Sequence, residues 1–78
     1  MKNEGTEITL SQSKKVDLIL FNGTDRNERI NGQMGIIISN KDGIKFIHSS
    51  SGKAHGVVIT ELNNYYMGRF VKVIRVFD

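Results

Sequence analysis

The sequence predicts a mainly β protein, a reduced α+β fold in which five or six short strands form one antiparallel sheet with one short helical turn. Short runs of strand-forming residues recur along the 78-residue chain and are separated by turn residues. One of these turns, Asn-Lys-Asp-Gly at 40–43, joins two such runs as a hairpin. Only the segment 60–67 carries a helix start signal, so the sheet is expected to supply most of the core.

Six segments have strand composition and are bounded by turn residues. In chain order they are EITL at 7–10, VDLILF at 16–21, MGIIIS at 34–39, IKFIH at 44–48, GVVI at 56–59 and RFVKVIRVF at 69–77. In the hairpin at 40–43, Gly43 can adopt the positive φ that such a loop commonly requires. The helical turn is predicted to begin with Thr60 as its N-cap. Residues 1–15 are predicted to be an N-terminal extension, and residues 16–78 a single β domain.

Composition limits the chemistry that the chain can perform. A domain of this length buries only about 60–65% of the surface that its unfolded chain exposes, so its core is thin. With 38% hydrophobic and 24% charged residues, the chain is expected to be globular. It has no cysteine, which excludes disulfides, thiolate metal sites and cysteine nucleophiles.

The net charge of +3 is spread along the chain, which is typical of a solvated surface, although it allows weak attraction to anionic partners. The N-terminus lacks the apolar core of a signal peptide, and no segment approaches the ~20 apolar residues of a membrane span. We therefore expect no membrane partner and a cytoplasmic location. A cell-envelope location is expected instead if the chain is a processed or truncated form.

The central strands are apolar on both alternations. In 16–21 and 35–38, apolar residues occupy successive positions, whereas a sheet with one solvated face would alternate apolar and polar residues. Both faces of these strands therefore need cover, and one helical turn cannot supply it. We expect the second face to be covered by a second copy in a homodimer, by a partner protein, or by a part of the parent fold that is absent here.

The segments VDLILF, GQMGIIIS, GIKFIHSSSGKAHGVVIT and LNNYYMGRFVKVIRV follow one another in an order that resembles the C-terminal half of the NlpC/P60 cell-wall peptidases. The similarity covers roughly residues 16–76. Its most specific part is the run from Gly35 through 46–49 to RFVKVIRV. The resemblance implies an antiparallel sheet packed on helices and an enzyme that cuts peptide bonds in peptidoglycan stems.

The family's catalytic unit is incomplete in this chain. The resemblance places the nucleophilic cysteine on a helix before VDLILF, where this chain has no cysteine. It places the base histidine at Gln33, whose amide cannot take a proton near neutral pH. Only His48 matches the third, orienting position. Val16 also departs from the family, which usually has glycine before the aspartate that matches Asp17. We therefore expect no enzymatic activity.

Three interpretations of His48 remain open. It could form a dyad with a serine of 49–51, although neighbouring strand residues point to opposite faces. It could share a metal with His55, although the spacing lacks a further ligand. The favoured interpretation is a histidine half buried beside Ile44 and Phe46 with one backbone hydrogen bond, and we expect no cofactor and no metal.

Two further groups are candidate contact residues. Arg26 and Arg29 lie in the polar loop 22–32, which is typical of a solvated connection but could contact a partner. Tyr65, Tyr66 and Arg69 could form an aromatic and cationic patch that stacks on a single nucleic-acid strand.

Three classes of function are consistent with the sequence. The first is a non-catalytic binding or inhibitor protein, built on a truncated NlpC/P60-like sheet, that acts by protein–protein contact. The second is a fragment or trans-complemented half of a peptidoglycan endopeptidase, for which a peptidoglycan peptide would be a partner. The third is a phage or mobile-element protein that binds nucleic acid or a ribonucleoprotein, which a steep salt dependence of binding would reveal.

Overall fold

The computed structural model describes residues 5–22, 33–50 and 56–77, without the side chain of Ser50, and confirms the mainly β prediction. Six strands form one antiparallel sheet in the order β1-β6-β2-β3-β4-β5. The elements are β1 (Thr6–Ile8), a 3₁₀ turn (Leu10–Gln12), β2 (Leu18–Phe21), β3 (Gln33–Asn40), β4 (Ile44–Ser50), β5 (Gly56–Glu61), α1 (Asn64–Met67) and β6 (Phe70–Arg75).

The predicted hairpin at 40–43 joins β3 and β4. Asn40 pairs with Ile44 across the ladder, and Gly43 has a φ of 102°, which an L side chain rarely adopts. This turn fixes the register, so that Ile36 lies opposite Ile47 and Ile37 opposite Phe46.

The predicted cap of the helical turn was wrong. Thr60 is a strand residue, because β5 continues to Glu61, which pairs with Lys45. The cap of α1 is Asn63, whose side-chain oxygen accepts a hydrogen bond from the Tyr66 amide at 3.2 Å. The hydroxyl of Thr60 is therefore available for a hydrogen bond with the ring of His48, which is described below.

The strand predicted at 16–21 begins two residues late because a turn precedes it. The Asp17 amide donates to the Lys14 carbonyl at 3.1 Å, and Val16 has a φ of 79°. Such a φ at the third position of a turn belongs to type II geometry, which favours glycine or asparagine. A β-branched residue is strained there.

The side chain of Asp17 ties this turn to β6, the strand that lies beside β2 in the sheet. Its carboxylate accepts hydrogen bonds from Arg75 Nε at 2.9 Å, Arg75 Nη2 at 2.8 Å and the Lys14 amide at 3.0 Å. The hydrogen bonds from Arg75 hold the pKa of Asp17 below its ordinary value of 3.8, although burial acts in the opposite direction. Because Arg75 Nη2 also donates to the Gln12 carbonyl, one ion pair links the 3₁₀ turn, β2 and β6.

One face of the sheet, here the inner face, carries the core. Its buried side chains are Ile19, Phe21, Ile37, Ile44, Phe46 and Val73. The 3₁₀ turn and α1 cover this face through Leu10 and Tyr66. Gly35 lets the Phe46 ring approach the backbone of β3, since a Cβ at Gly35 would lie 2.7 Å from Phe46 Cδ2.

Candidate functional site

His48 lies on β4 with its ring on the inner face. It is 9% exposed, and its Nε2 makes a 2.8 Å hydrogen bond with the Thr60 hydroxyl of β5. Its ring centroid lies 5.0 Å from that of Phe46 and 5.9 Å from that of Tyr66. The predicted position beside Phe46 is therefore correct, but the ring is buried rather than half buried, and its hydrogen bond is to a side chain rather than to the backbone. Thr60 takes that place because β5 pairs with β4 and brings its hydroxyl to the same face.

The second ring nitrogen of His48 is isolated. Nδ1 is buried and has no hydrogen-bond partner among the described residues. Buried polar atoms of this kind are uncommon, because leaving one unpaired costs about 1–3 kcal/mol. The imidazole is thus positioned by one hydrogen bond and by the aromatic rings around it.

Gln33 is the first residue of β3, the strand next to β4. It pairs with Phe21 of β2, whose side chain is in the core, so strand alternation places Gln33 on the inner face with His48. Gln33 is exposed, and no hydrogen bond joins it to His48. Gln33 and His48, to which the predicted resemblance assigns the base and orienting positions, therefore share a face without a hydrogen bond between them.

The other predicted partners of His48 are not brought to it by the described structure. Ser49 follows His48 in β4 and so points to the opposite face. The side chain of Ser50 and all of 51–55, with Ser51 and His55, lie outside the described residues. Across 5–22, 33–50 and 56–77, no group of three or more His, Cys, Asp or Glu side chains could hold a metal ion.

The predicted aromatic and cationic patch divides into two parts. The ring of Tyr66 packs in the core, with centroids 5.1 Å from Phe21 and 5.3 Å from Phe46. Tyr65 is half exposed, and the Arg69 guanidinium carbon lies 4.3 Å from its ring centroid. Of the described members only Tyr65 is exposed, and Arg69 lies partly buried against its ring, while Arg26 and Arg29 lie outside the described residues.

The opposite face of the sheet, here the outer face, carries an aliphatic row that crosses all six strands. Cross-strand pairing places six residues side by side: Glu7, Ile74, Leu18, Ile36, Ile47 and Ile59. Five of the six are isoleucine or leucine. Residues paired across strands project to the same face, so their side chains form one continuous apolar strip.

A second row lies beside this strip. Lys72 pairs with Leu20, Leu20 pairs with Met34, and farther along the sheet Ser49 pairs with Val57. Met34 and Val57 are exposed, as are Ile36 and Ile59 in the first row. We define the outer patch as the eight aliphatic residues of the two rows: Leu18, Leu20, Met34, Ile36, Ile47, Val57, Ile59 and Ile74.

In the described part of the chain, charged side chains border the outer patch with equal numbers of each sign. Glu7 ends the first row and Lys72 ends the second, while Lys45 and Glu61 pair with each other beyond the first row. Sequence reasoning predicted that a second apolar face exists, but it missed this arrangement. The apolar runs in the sequence indicate that both faces of the strands are apolar. Which apolar residues lie side by side depends on the strand register, which turns and bulges determine.

No protein-family model matches this chain, and no curated protein is similar to it. Within the described residues, no helix is long and apolar enough to cross a membrane.

Proposed function

We propose that this chain is a non-catalytic protein-binding module, built on a truncated NlpC/P60-like sheet, that acts by protein–protein contact through the outer patch. The observation that carries the proposal is the patch itself, eight aliphatic side chains on five adjacent strands, of which four are 44–69% exposed and the other four are partly buried. Soluble proteins rarely leave so contiguous an apolar surface open unless it binds something.

The inner face supports a role without catalysis. His48 is held by Thr60 and by aromatic rings, and Gln33 supplies neither a base nor a contact to it. A triad that has lost its nucleophile and its base typically loses on the order of 10⁴ to 10⁶ in rate, because the members act together. Protein contact is then the activity that the remaining surface can perform.

Photo-cross-linking in the organism that produces the chain tests the proposed contact. A benzophenone amino acid replaces Ile59, which is 62% exposed in the outer patch, or Tyr65, which is 50% exposed on α1. We expect a protein adduct of defined mass from position 59 and little or none from position 65. Absence of an adduct at position 59, or equal yields at both positions, would contradict a binding role for the patch.

A peptidase assay tests the absence of catalysis. We expect the purified chain to leave peptidoglycan stem peptides intact. Cleavage by the wild-type chain that disappears in His48→Ala would overturn the proposal. Cleavage that appears only when a cysteine-bearing chain is added would overturn it in favour of a peptidase half completed in trans.

A further inference from the structure

We propose that the partner of the outer patch is a second copy of this chain, so that two six-stranded sheets stack through their outer faces. This inference rests on the proposed function, because it assigns an occupant to the same surface. It is argued from the area of the patch, from the charges around it and from its symmetry.

The area of the outer patch is in the range that a stable dimer needs. Six strands spaced ~4.8 Å apart make the first row about 24 Å long. The four most exposed side chains, Met34, Ile36, Val57 and Ile59, are 44–69% exposed and leave open roughly 400 Å². When the half-buried members of the patch are included, the exposed area rises to about 600 Å² per copy. A dimer would bury roughly 1,200 Å² in total, which is the lower end of the range for specific interfaces.

The charges around the patch are suited to an uncharged apolar partner. Among the residues that the structure describes, Glu7 and Glu61 are balanced by Lys45 and Lys72, so this part of the outer face carries no excess of either sign. Binding to a phosphate backbone depends on an excess of lysine or arginine, which the described residues of this face do not supply. A second copy presents the same balance of charges, so the described parts of the two facing surfaces do not repel each other.

A two-fold axis makes the patch complementary to itself. The centre of the first row lies between β2 and β3, at the pair Leu18 and Ile36. Two sheets stacked ~10 Å apart around an axis through this point place the Ile36 of one copy close to the Ile36 of the other. The four central members of the first row, Ile74, Leu18, Ile36 and Ile47, then meet the same four residues of the other copy.

Sedimentation velocity with matched variants tests the inference. Ile36 and Met67 are both 44% exposed, but Ile36 is at the centre of the outer patch and Met67 is on α1, which covers the inner face. We expect a dimer for the wild type and for Met67→Lys. Ile36→Lys should raise the dimer dissociation constant at least about 30-fold, because a lysine at the centre of the interface is desolvated. Circular dichroism checks that the variants fold, and Ile59→Lys replaces Ile36→Lys if that variant does not.

Cross-linking adds a test of the geometry, since the chain has no cysteine of its own. With a short bis-maleimide, Ile36→Cys should give a covalent dimer and Met67→Cys should not. A wild type that stays monomeric into the high micromolar range, or a dimer that Ile36→Lys does not weaken, overturns the inference. If that monomer still gives a heteromeric adduct at Ile59 in cells, only the identity of the partner is wrong. If no adduct of any kind forms there, the proposed function fails too.

Discussion

Replacing Asp17 with asparagine removes the negative charge from the Asp17–Arg75 ion pair, which joins two distant parts of the described chain. The asparagine keeps the size of the side chain, but its amide group places N–H donors where Arg75 also presents donors. The side chain of Asp17 is 3% exposed and that of Arg75 is 20% exposed, so the pair is largely hidden from water. The variant therefore tests a buried interaction rather than a surface one.

We expect Asp17→Asn to lower the free energy of unfolding by about 3 kcal/mol. Breaking a buried ion pair from one side typically costs 3–5 kcal/mol, and the partial exposure of Arg75 places this pair at about the lower limit. A domain of this size has roughly 4–12 kcal/mol of stability, so the loss is a large fraction of it. At about 4–8 °C per kcal/mol, the melting temperature should fall by about 15 °C.

Urea denaturation followed by circular dichroism at several pH values measures the loss of unfolding free energy and shows whether it depends on the charge of Asp17. The pKa of Asp17 is lowered in the folded chain, so the pair stabilises the protein above pH 3.8, and this contribution is lost as the pH falls through the lowered pKa. The difference between wild type and Asp17→Asn should therefore narrow at acid pH. Asp42→Asn, in the exposed β3–β4 turn, is the control and should change stability by less than about 0.5 kcal/mol. A similarly small change in Asp17→Asn, or a difference that does not depend on pH, would refute the reasoning.

Three further substitutions test local features by the same denaturation assay. Val16→Gly should raise the free energy of unfolding by about 1 kcal/mol, because a φ of 79° strains valine but not glycine; a less stable variant would contradict this. Gly35→Ala should lower it by about 1–3 kcal/mol, since the new methyl group would lie 2.7 Å from Phe46, and an unchanged value would mean that the ring moves freely. Thr60→Val should lower it by about 1–3 kcal/mol by leaving His48 unpaired, while Thr60→Ser should not; equal losses in both would exclude the hydrogen bond as the cause.

The sequence predicted those parts of the fold that depend on neighbouring residues. The hairpin followed from Gly43 between two apolar runs, and the structure gives Gly43 the expected positive φ. The apolar character of both alternations in 16–21 and 35–38 predicted a second apolar face, which the outer patch now occupies. These features could be predicted from the sequence because periodicity and turn chemistry are local properties of the chain.

Features that join distant segments were not predictable in the same way. Arg75 and Asp17 are separated by 58 residues, and nothing local to either indicates the other. Threonine suits the N-cap position of a helix, but the ladder with β4 extends one residue beyond Thr60 and brings its hydroxyl to His48. The resemblance to the NlpC/P60 peptidases, and with it the assignment of Gln33, stays a prediction.

The position of β6 determines when this sheet can be completed during synthesis. It is the last of the described strands in the chain, yet it lies between β1 and β2, and it brings Val73 and Arg75 to the core and to Asp17. A nascent chain that has not yet emerged as far as residue 75 leaves β1 without a neighbour and β2 as an open edge. Pairings of such long sequence separation form slowly. The chain is therefore expected to fold after β6 has left the ribosome, and to expose its aliphatic strands to chaperones until then.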